Sequence, residues 1–353
     1  MCLLISILKT KNGAAVTTLL GMHHNVGGGE RLKTFIKIAF FIFLNLFFFK
    51  TLAQTYPNKP IRYVVAFPAG DSPDIVARLT ADKLSHLWNQ QVMVENRAGA
   101  GGTIAANFVA KSSPDGYLLF LCNSASNGIA PALYKKLTYD GLNDFTPISR
   151  IGRTPNGFNI HPSLPVKNLT QFVNYVNAHP GQLQYGHGGA GASPQLSMEL
   201  FKLIAHIHLP DIAYKGTTPA LTDLLGGQIP VMVGNVPALI SHAQSGKIKM
   251  LAVTGAKRIS ALPEVPTVIE SGFAGFEVYG WYGLCGPAGL PTQITKKLHT
   301  DLLTILQQAD LMQKFSELFI EIAPQTEAEF KTFISNEINR WNDVIQQAHI
   351  MKQ

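Results

Sequence analysis

Residues 61–88, IRYVVAFPAGDSPDIVARLTADKLSHLW, read as a strand, a tight loop and a helix in direct succession. Ile61–Phe67 is an apolar run of strand length. From Pro73 to Trp88, Val76, Leu79, Lys83 and Leu87 fall at helical spacing, with Ile75 and Leu84 alongside. The same order follows at once. Gln91–Glu95 is a second short strand, Ala98–Gly102 a glycine-rich loop, Thr103–Lys111 a helix, Pro114-Asp115-Gly116 a turn and Tyr117–Cys122 a third strand. Strands alternating with helices predict an α/β fold, a parallel sheet with helices on its faces.

The rhythm loosens from Pro131 to Pro165, where prolines and glycines fall among short apolar pieces, so a lobe boundary is expected near Ile151. It resumes with helix Leu169–Ala178, strand Leu183–Tyr185, helices Gln195–Ala205 and Thr218–Leu225, strand Ile229–Val233, helix Val236–Ser245 and strand Met250–Thr254. Strand Trp281–Pro287 and helices Thr292–Gln308, Leu311–Phe319 and Thr326–Ala348 complete the chain. The last helix carries Phe330, Phe333, Ile334, Ile338, Trp341 and Ile345 on one stripe, which predicts that it packs against the body.

The chain has 353 residues, 46% of them hydrophobic and 14% charged, enough apolar material for two lobes. Its formal charge of +7 is concentrated at the start, where Lys9, Lys11, Arg31, Lys33, Lys37 and Lys50 face only Glu30. Taking that net +5 away leaves +2 on residues 54–353, no electrostatic footprint for nucleic acid. Arg31, Lys33 and Lys37 precede a run from Ile38 to Phe49 that is apolar except for Asn45, and small residues up to Ala53 follow, the three parts of an export signal. The run is short of the roughly 20 residues a membrane span needs. Residues 1–53 are therefore expected to be a leader, cleaved after Ala53, with the mature protein exported. The stretch before Arg31 suggests a start codon assigned too early, with Met22 as one alternative. In an oxidising compartment Cys122 and Cys285 can pair or remain buried thiols, and the sequence leaves both open. No cysteine or histidine cluster suggests a metal, and no cofactor is expected.

Two loops have the make-up of anion sites. Phe67-Pro68-Ala69-Gly70-Asp71-Ser72-Pro73-Asp74 joins the first strand to the first helix, with Ser72 as a candidate N-cap and Pro73 suited to the first turn. Gly186-His187-Gly188-Gly189-Ala190-Gly191-Ala192-Ser193 precedes Pro194, with Ser193 as the candidate cap. Bare main-chain amides at a helix start attract negative charge. Neither loop matches a nucleotide-binding motif, and no GxSxG or HExxH occurs. His179, His187, His206, His208 and His242 lack a carboxylate at a telling spacing and read as surface or loop histidines. Asp74 and Asp223 read as structural carboxylates. A catalytic role is not expected.

Several phrases together resemble the substrate-binding proteins of tripartite tricarboxylate transporters, the Bug receptors. They include Tyr56-Pro57-Asn58-Lys59-Pro60-Ile61, the FPAGDSPD loop, Glu95-Asn96-Arg97-Ala98-Gly99-Ala100-Gly101-Gly102, Pro114-Asp115-Gly116-Tyr117, Tyr214-Lys215-Gly216 and Leu262-Pro263-Glu264-Val265-Pro266-Thr267. The match runs in order from Tyr56 to about Ile350. The resemblance implies a two-lobed periplasmic binding protein fold of type II-like form, its mixed, mostly parallel sheets flanked by helices. Residues 54–151 with 279–353 would form one lobe and residues 152–278 the other. It implies a monomer that captures a small organic acid or amino acid through its carboxylate and delivers it to membrane permease subunits. A ligand-presenting sensor for a signalling protein is the alternative. Phe67, Ala69, Gly70, Asp71, Ser72, Asn123, Ser126, Gly189, Gly191, Ala192, Ser193, Tyr214 and Asn235 are expected around the solute, with Trp281 near the hinge. The chain departs from the family where Gly70-Asp71 replaces Gly-Gly, placing a carboxylate beside an expected anion site. Asp71 can point outward, cap an N–H or favour an amino group on the solute. The second loop ends in Ala192-Ser193-Pro194-Gln195 where a threonine and a histidine are common, and Gly234 stands where an acid often occurs.

Overall fold

The computed structural model describes Lys37, residues 56–347 and Ile350. The leader and its cleavage point, Lys37 apart, lie outside these residues. The opening stretch folds as read. Strand β1 (Ile61–Val65) leads into α1 (Ser72–Trp88), then β2 (Val92–Asn96), a short 3-10 turn (Ala100–Gly102), α2 (Thr103–Ala110) and β3 (Leu118–Asn123). β1 lies between β2 and β3 and is parallel to both. Its apolar residues pack on α1 on one face and on α2 on the other, which is why the run needs no polar alternation. A π-helical turn (Ser124–Ile129) and α3 (Ala130–Leu133) follow β3.

The segment read as loosened contains the longest strand described, β4 (Phe145–Ile160). Pro147 and Pro155 hid it, because a proline cannot donate to a ladder and argues against a central strand. The chain accommodates Pro147 at a register shift between Pro147 and Ser149. Pro155 ends the pairing with β9 (Tyr279–Pro287), and from Asn156 onward β4 pairs with β7 (Val231–Asn235).

Between β4 and β9 run α4 (Leu169–Ala178), β5 (Tyr185–His187), α5 (Ser193–Ala205), β6 (Asp211–Ala213), α6 (Thr217–Leu225), β7, α7 (Val236–Gln244) and β8 (Lys249–Val253). α8 (Thr292–Leu306), α9 (Ala309–Glu317), β10 (Glu321–Ile322) and α10 (Glu327–Gln347) close the chain. The strand order is β2-β1-β3-β9-β4-β7-β5-β6, with β8 and β10 also on β4. The outer pairs are parallel, as strand–helix–strand crossovers require, whereas β4 and β9 enter antiparallel.

Helix α10 packs with the stripe its sequence shows: Phe330, Ile334, Trp341 and Ile345 are buried. Phe330 and Ile334 join the apolar cluster around α2 and β3, while Trp341 and Ile345 join the one around α4 and α5. The polar atom on this buried face is the carboxylate of Glu337, which accepts from the indole N–H groups of both Trp281 (3.0 Å) and Trp341 (3.3 Å). Cys122 and Cys285 form a disulfide between β3 and β9, closing a loop of 163 residues. Loss of that cross-link frees a long segment of the unfolded chain, so the Cys122→Ser/Cys285→Ser variant should lose about 2–5 kcal/mol in a urea titration. An unchanged unfolding midpoint would contradict this assignment of stability.

Candidate functional site

Five helical segments begin at one small cavity. It is bordered by Asp71 and Pro73 at the start of α1, by Asn123, Ser124 and Ala125 at the π-helical turn, and by Ala192, Ser193 and Pro194 at α5. Thr217 at α6 and Asn235 before α7 complete the set, with Phe67, Gly188, Gly280 and Tyr282 filling the walls. All five segments follow directly from strand ends or from the loops just beyond them, the side of a parallel sheet where helix N-termini expose N–H groups. The volume open to the centre of a water molecule is about 20 Å³, room for roughly one water. Asp71 is the one charged residue on the wall, and no lysine or arginine borders it among the described residues. The positive contribution to the cavity's field thus comes from partial charges at helix starts, which favour an anion, and the Asp71 side chain opposes it.

Behind this wall lies a buried polar network. Asn235 donates from Nδ2 to Asn156 Oδ1 at 2.6 Å, and Asn156 Nδ2 donates to Ser197 Oγ at 2.7 Å. The Asn156 main-chain amide donates to Thr254 Oγ1 at 2.7 Å, and that hydroxyl donates to Val278 O at 2.6 Å. Ser193 Oγ makes only long contacts, 3.4 Å each, to Asn156 and Asn235, so its hydroxyl is weakly committed. Ser72 Oγ and the hydroxyl of Tyr282 are buried facing each other, with no third partner among the described residues.

A profile of the tripartite tricarboxylate transporter family receptor matches residues 76–350. The chain belongs to that family. BugT of Bordetella pertussis is 33% identical over 296 residues, which cover 84% of this chain and 91% of BugT. Among solved structures, an R. palustris protein with adipate superimposes with a TM-score of 0.82 at 33% identity, covering 84% of this chain and 99% of its own. MatC from Rhodopseudomonas palustris with bound malate gives 0.78 at 31%, over 82% and 100% of the two chains. The periplasmic binding protein BugD gives 0.81 at 32%, over 84% and 100%. The fold is therefore the two-lobed α/β fold of periplasmic binding proteins.

In this receptor the cavity gathers Phe67, Asp71, Asn123, Ala192, Ser193 and Asn235 from the residues expected around a solute. The others stand behind it or apart. Ala69 and Gly70 are exposed, and the Gly70 amide is already taken by Asp74 Oδ2 at 2.9 Å. The Gly191 amide donates to Gln195 Oε1 at 2.7 Å, and the Gly189 amide to His187 Nδ1 at 3.2 Å. Ser126 is buried with its hydroxyl on Asn127, and Tyr214 donates its hydroxyl to Asp223 at 2.7 Å. Trp281 is buried in the core, tied to Glu337.

Neither serine caps its helix. Asp71 and Ala192 occupy the N-cap positions of α1 and α5, and Ser72 and Ser193 are the first helical residues. Asp74, read as structural, bonds Gly70, Arg78 and Asn96 and so fixes the first loop. His187 departs from the surface or loop histidine expected, since it ends strand β5. It is fully buried, 2.9 Å from Asp211 Oδ2 through Nε2, and its other nitrogen lies 3.0 Å from Gly189 O. Sequence reading missed the pair because β5 and β6 bring together positions 24 apart that share no motif. Asn156 and Tyr282 were missed for the same reason, since strand pairing and not spacing brings them in, and Thr217 because it opens a helix that follows β6.

A wider groove of about 420 Å³ elsewhere is lined by Arg153, Lys257 and Arg258, but two of these cations are already committed, to Glu321 and Glu270. Among the described residues no group of three metal-ligating side chains occurs, and no helix is long and apolar enough to cross a membrane.

The His187 hydrogen bond holds the Asp211 carboxyl below its ordinary range, against the opposing effect of burial. A depressed carboxyl stabilises the fold fully above its unfolded value, about 3.9, and loses that contribution as pH falls through the folded value. The stability gap between the wild type and Asp211→Asn should therefore be present at about pH 6 and shrink towards about pH 3 in urea titrations. A gap independent of pH would contradict the role given to this pair.

Proposed function

We propose that this receptor captures a small organic acid by its carboxylate in the cavity where the five helical segments begin, and hands it to membrane permease subunits without any covalent step. That convergence of helix starts, with no cation to compete, is the observation that carries the reading. Relatives solved with adipate and malate support the chemical class. Residues 54–151 with 279–353 form one lobe and 152–278 the other. The switch of β4 from β9 to β7 at Pro155 and Asn156 supports a boundary there, a few residues beyond Ile151. A solute larger than about one water enters only if the lobes part, and their return strips water from the carboxylate and strengthens its hydrogen bonds.

Phe67, Asn123, Ala192, Ser193 and Asn235 contact the solute, together with Thr217 and Tyr282. Gly70, Ser72, Ser126, Gly189, Gly191, Tyr214 and Trp281 hold the two loops and the strand behind them in shape. The receptor works as a monomer in the periplasm after cleavage at Ala53, so the mature chain begins at Gln54.

Calorimetry with a set of small carboxylates and their amides tests the reading. At least one acid should bind while its amide does not, and Ser193→Ala should weaken that acid by about tenfold through loss of one hydroxyl donor to a charged group. An amide that binds as tightly as its acid would overturn the reading. N-terminal sequencing of the exported protein should begin at Gln54.

A further inference from the structure

Asp71 is 1% exposed, although it sits in a loop flanked by exposed Ala69 and Gly70. It occupies the N-cap position of α1 yet makes no side-chain bond to that helix. Its carboxylate instead reaches the first turn of α6. Oδ2 accepts from the Thr217 amide at 2.8 Å, and Oδ1 accepts from the Thr218 amide at 2.9 Å and the Thr218 hydroxyl at 2.7 Å. Two adjacent amides and a hydroxyl at a helix start are the donor set that a free carboxylate would seek there. The approach depends on Gly216, where a Cβ would lie 2.7 Å from Asp71 Oδ2 and 2.7 Å from Pro68 Cγ. Asp71 and Thr217 both border the cavity.

The cavity thus contains one acid that belongs to the protein. It satisfies the α6 donors and, being the one charged group on the wall, repels any second anion brought near it. On the carboxylate-receptor reading above, we infer that Asp71 is a built-in second acid, which makes this receptor selective for solutes with a single carboxylate. A dicarboxylate held by one end at the start of α5, away from Asp71, would have to turn its other end towards Asp71 at the start of α1 and would find the α6 amides occupied. Replacing Asp71 by glycine exposes those donors to the solute.

The test measures affinities of the matched pairs hexanoate and adipate, and butanoate and succinate, for the wild type, Asp71→Gly and Asp71→Asn, each checked for folding by its thermal transition. The wild type should favour the monoacid of each pair that binds by at least about tenfold. Asp71→Gly should reverse that preference by a similar factor. Asp71→Asn, which keeps the side chain's size and removes its charge, should bring the ratio close to one even if the glycine variant fails to fold. Binding with the same ratio in wild type and variants, or a wild type that favours the diacids, overturns the inference and leaves the receptor reading standing. No binding of any of the four acids to any folded variant overturns both.

Discussion

A carboxylate leaves water only when enough hydrogen-bond donors already point at the place it will occupy. Stripping an ion of its hydration costs several kcal/mol, and one hydrogen bond to a charged group returns about 1.5–3 kcal/mol. A few donors therefore have to converge, and holding them together before the solute arrives is the constraint that shapes this molecule. Lysine or arginine would meet it with one side chain. Here the starts of α1, α5 and α7 meet it with partial charges, the first amides of α6 and of the π-helical turn being taken by Asp71 and Asn123, and the buried network of Asn156, Asn235, Ser197 and Thr254 holds part of that wall in register. Neutral donors fixed by the backbone lose little freedom on binding, which favours shape selection over long-range attraction.

The rest of the fold explains how helix starts from distant parts of the chain meet. β4 runs through the middle of the sheet, pairing with β9 and β10 along its first part and with β7 and β8 along its second. Beside it, β9 is fastened to β3 by the Cys122–Cys285 disulfide. Helix α10 bridges two apolar clusters, and Glu337 satisfies two buried indoles on its inner face.

Much of this was legible in the sequence, for physical reasons that differ by region. The β1-loop-α1 unit could be read because its periodicity changes from a continuous apolar run to helical spacing within a few residues. The stripe on α10 was legible because a helix must bury one face. β4 was hidden by two prolines that its register shift and pairing switch absorb. At the site, the loops announced themselves through glycine and proline, and both fell near the cavity, but the amides of Gly70, Gly189 and Gly191 are used within the loops themselves. What spacing cannot reveal is pairing across the chain: His187 with Asp211, and Asp71 with Thr217 and Thr218, positions 146 and 147 apart. Of the three roles open to Asp71, capping an N–H is the one the structure adopts, on a helix other than its own.

The most direct measurement is a crystal structure of the receptor grown with an acid that it binds. The carboxylate oxygens should lie within hydrogen-bonding distance of main-chain amides at the start of α5 and of the Ser193 hydroxyl, with no arginine or lysine in contact. A carboxylate seated instead in the groove beside Arg153 and Lys257 would contradict the account.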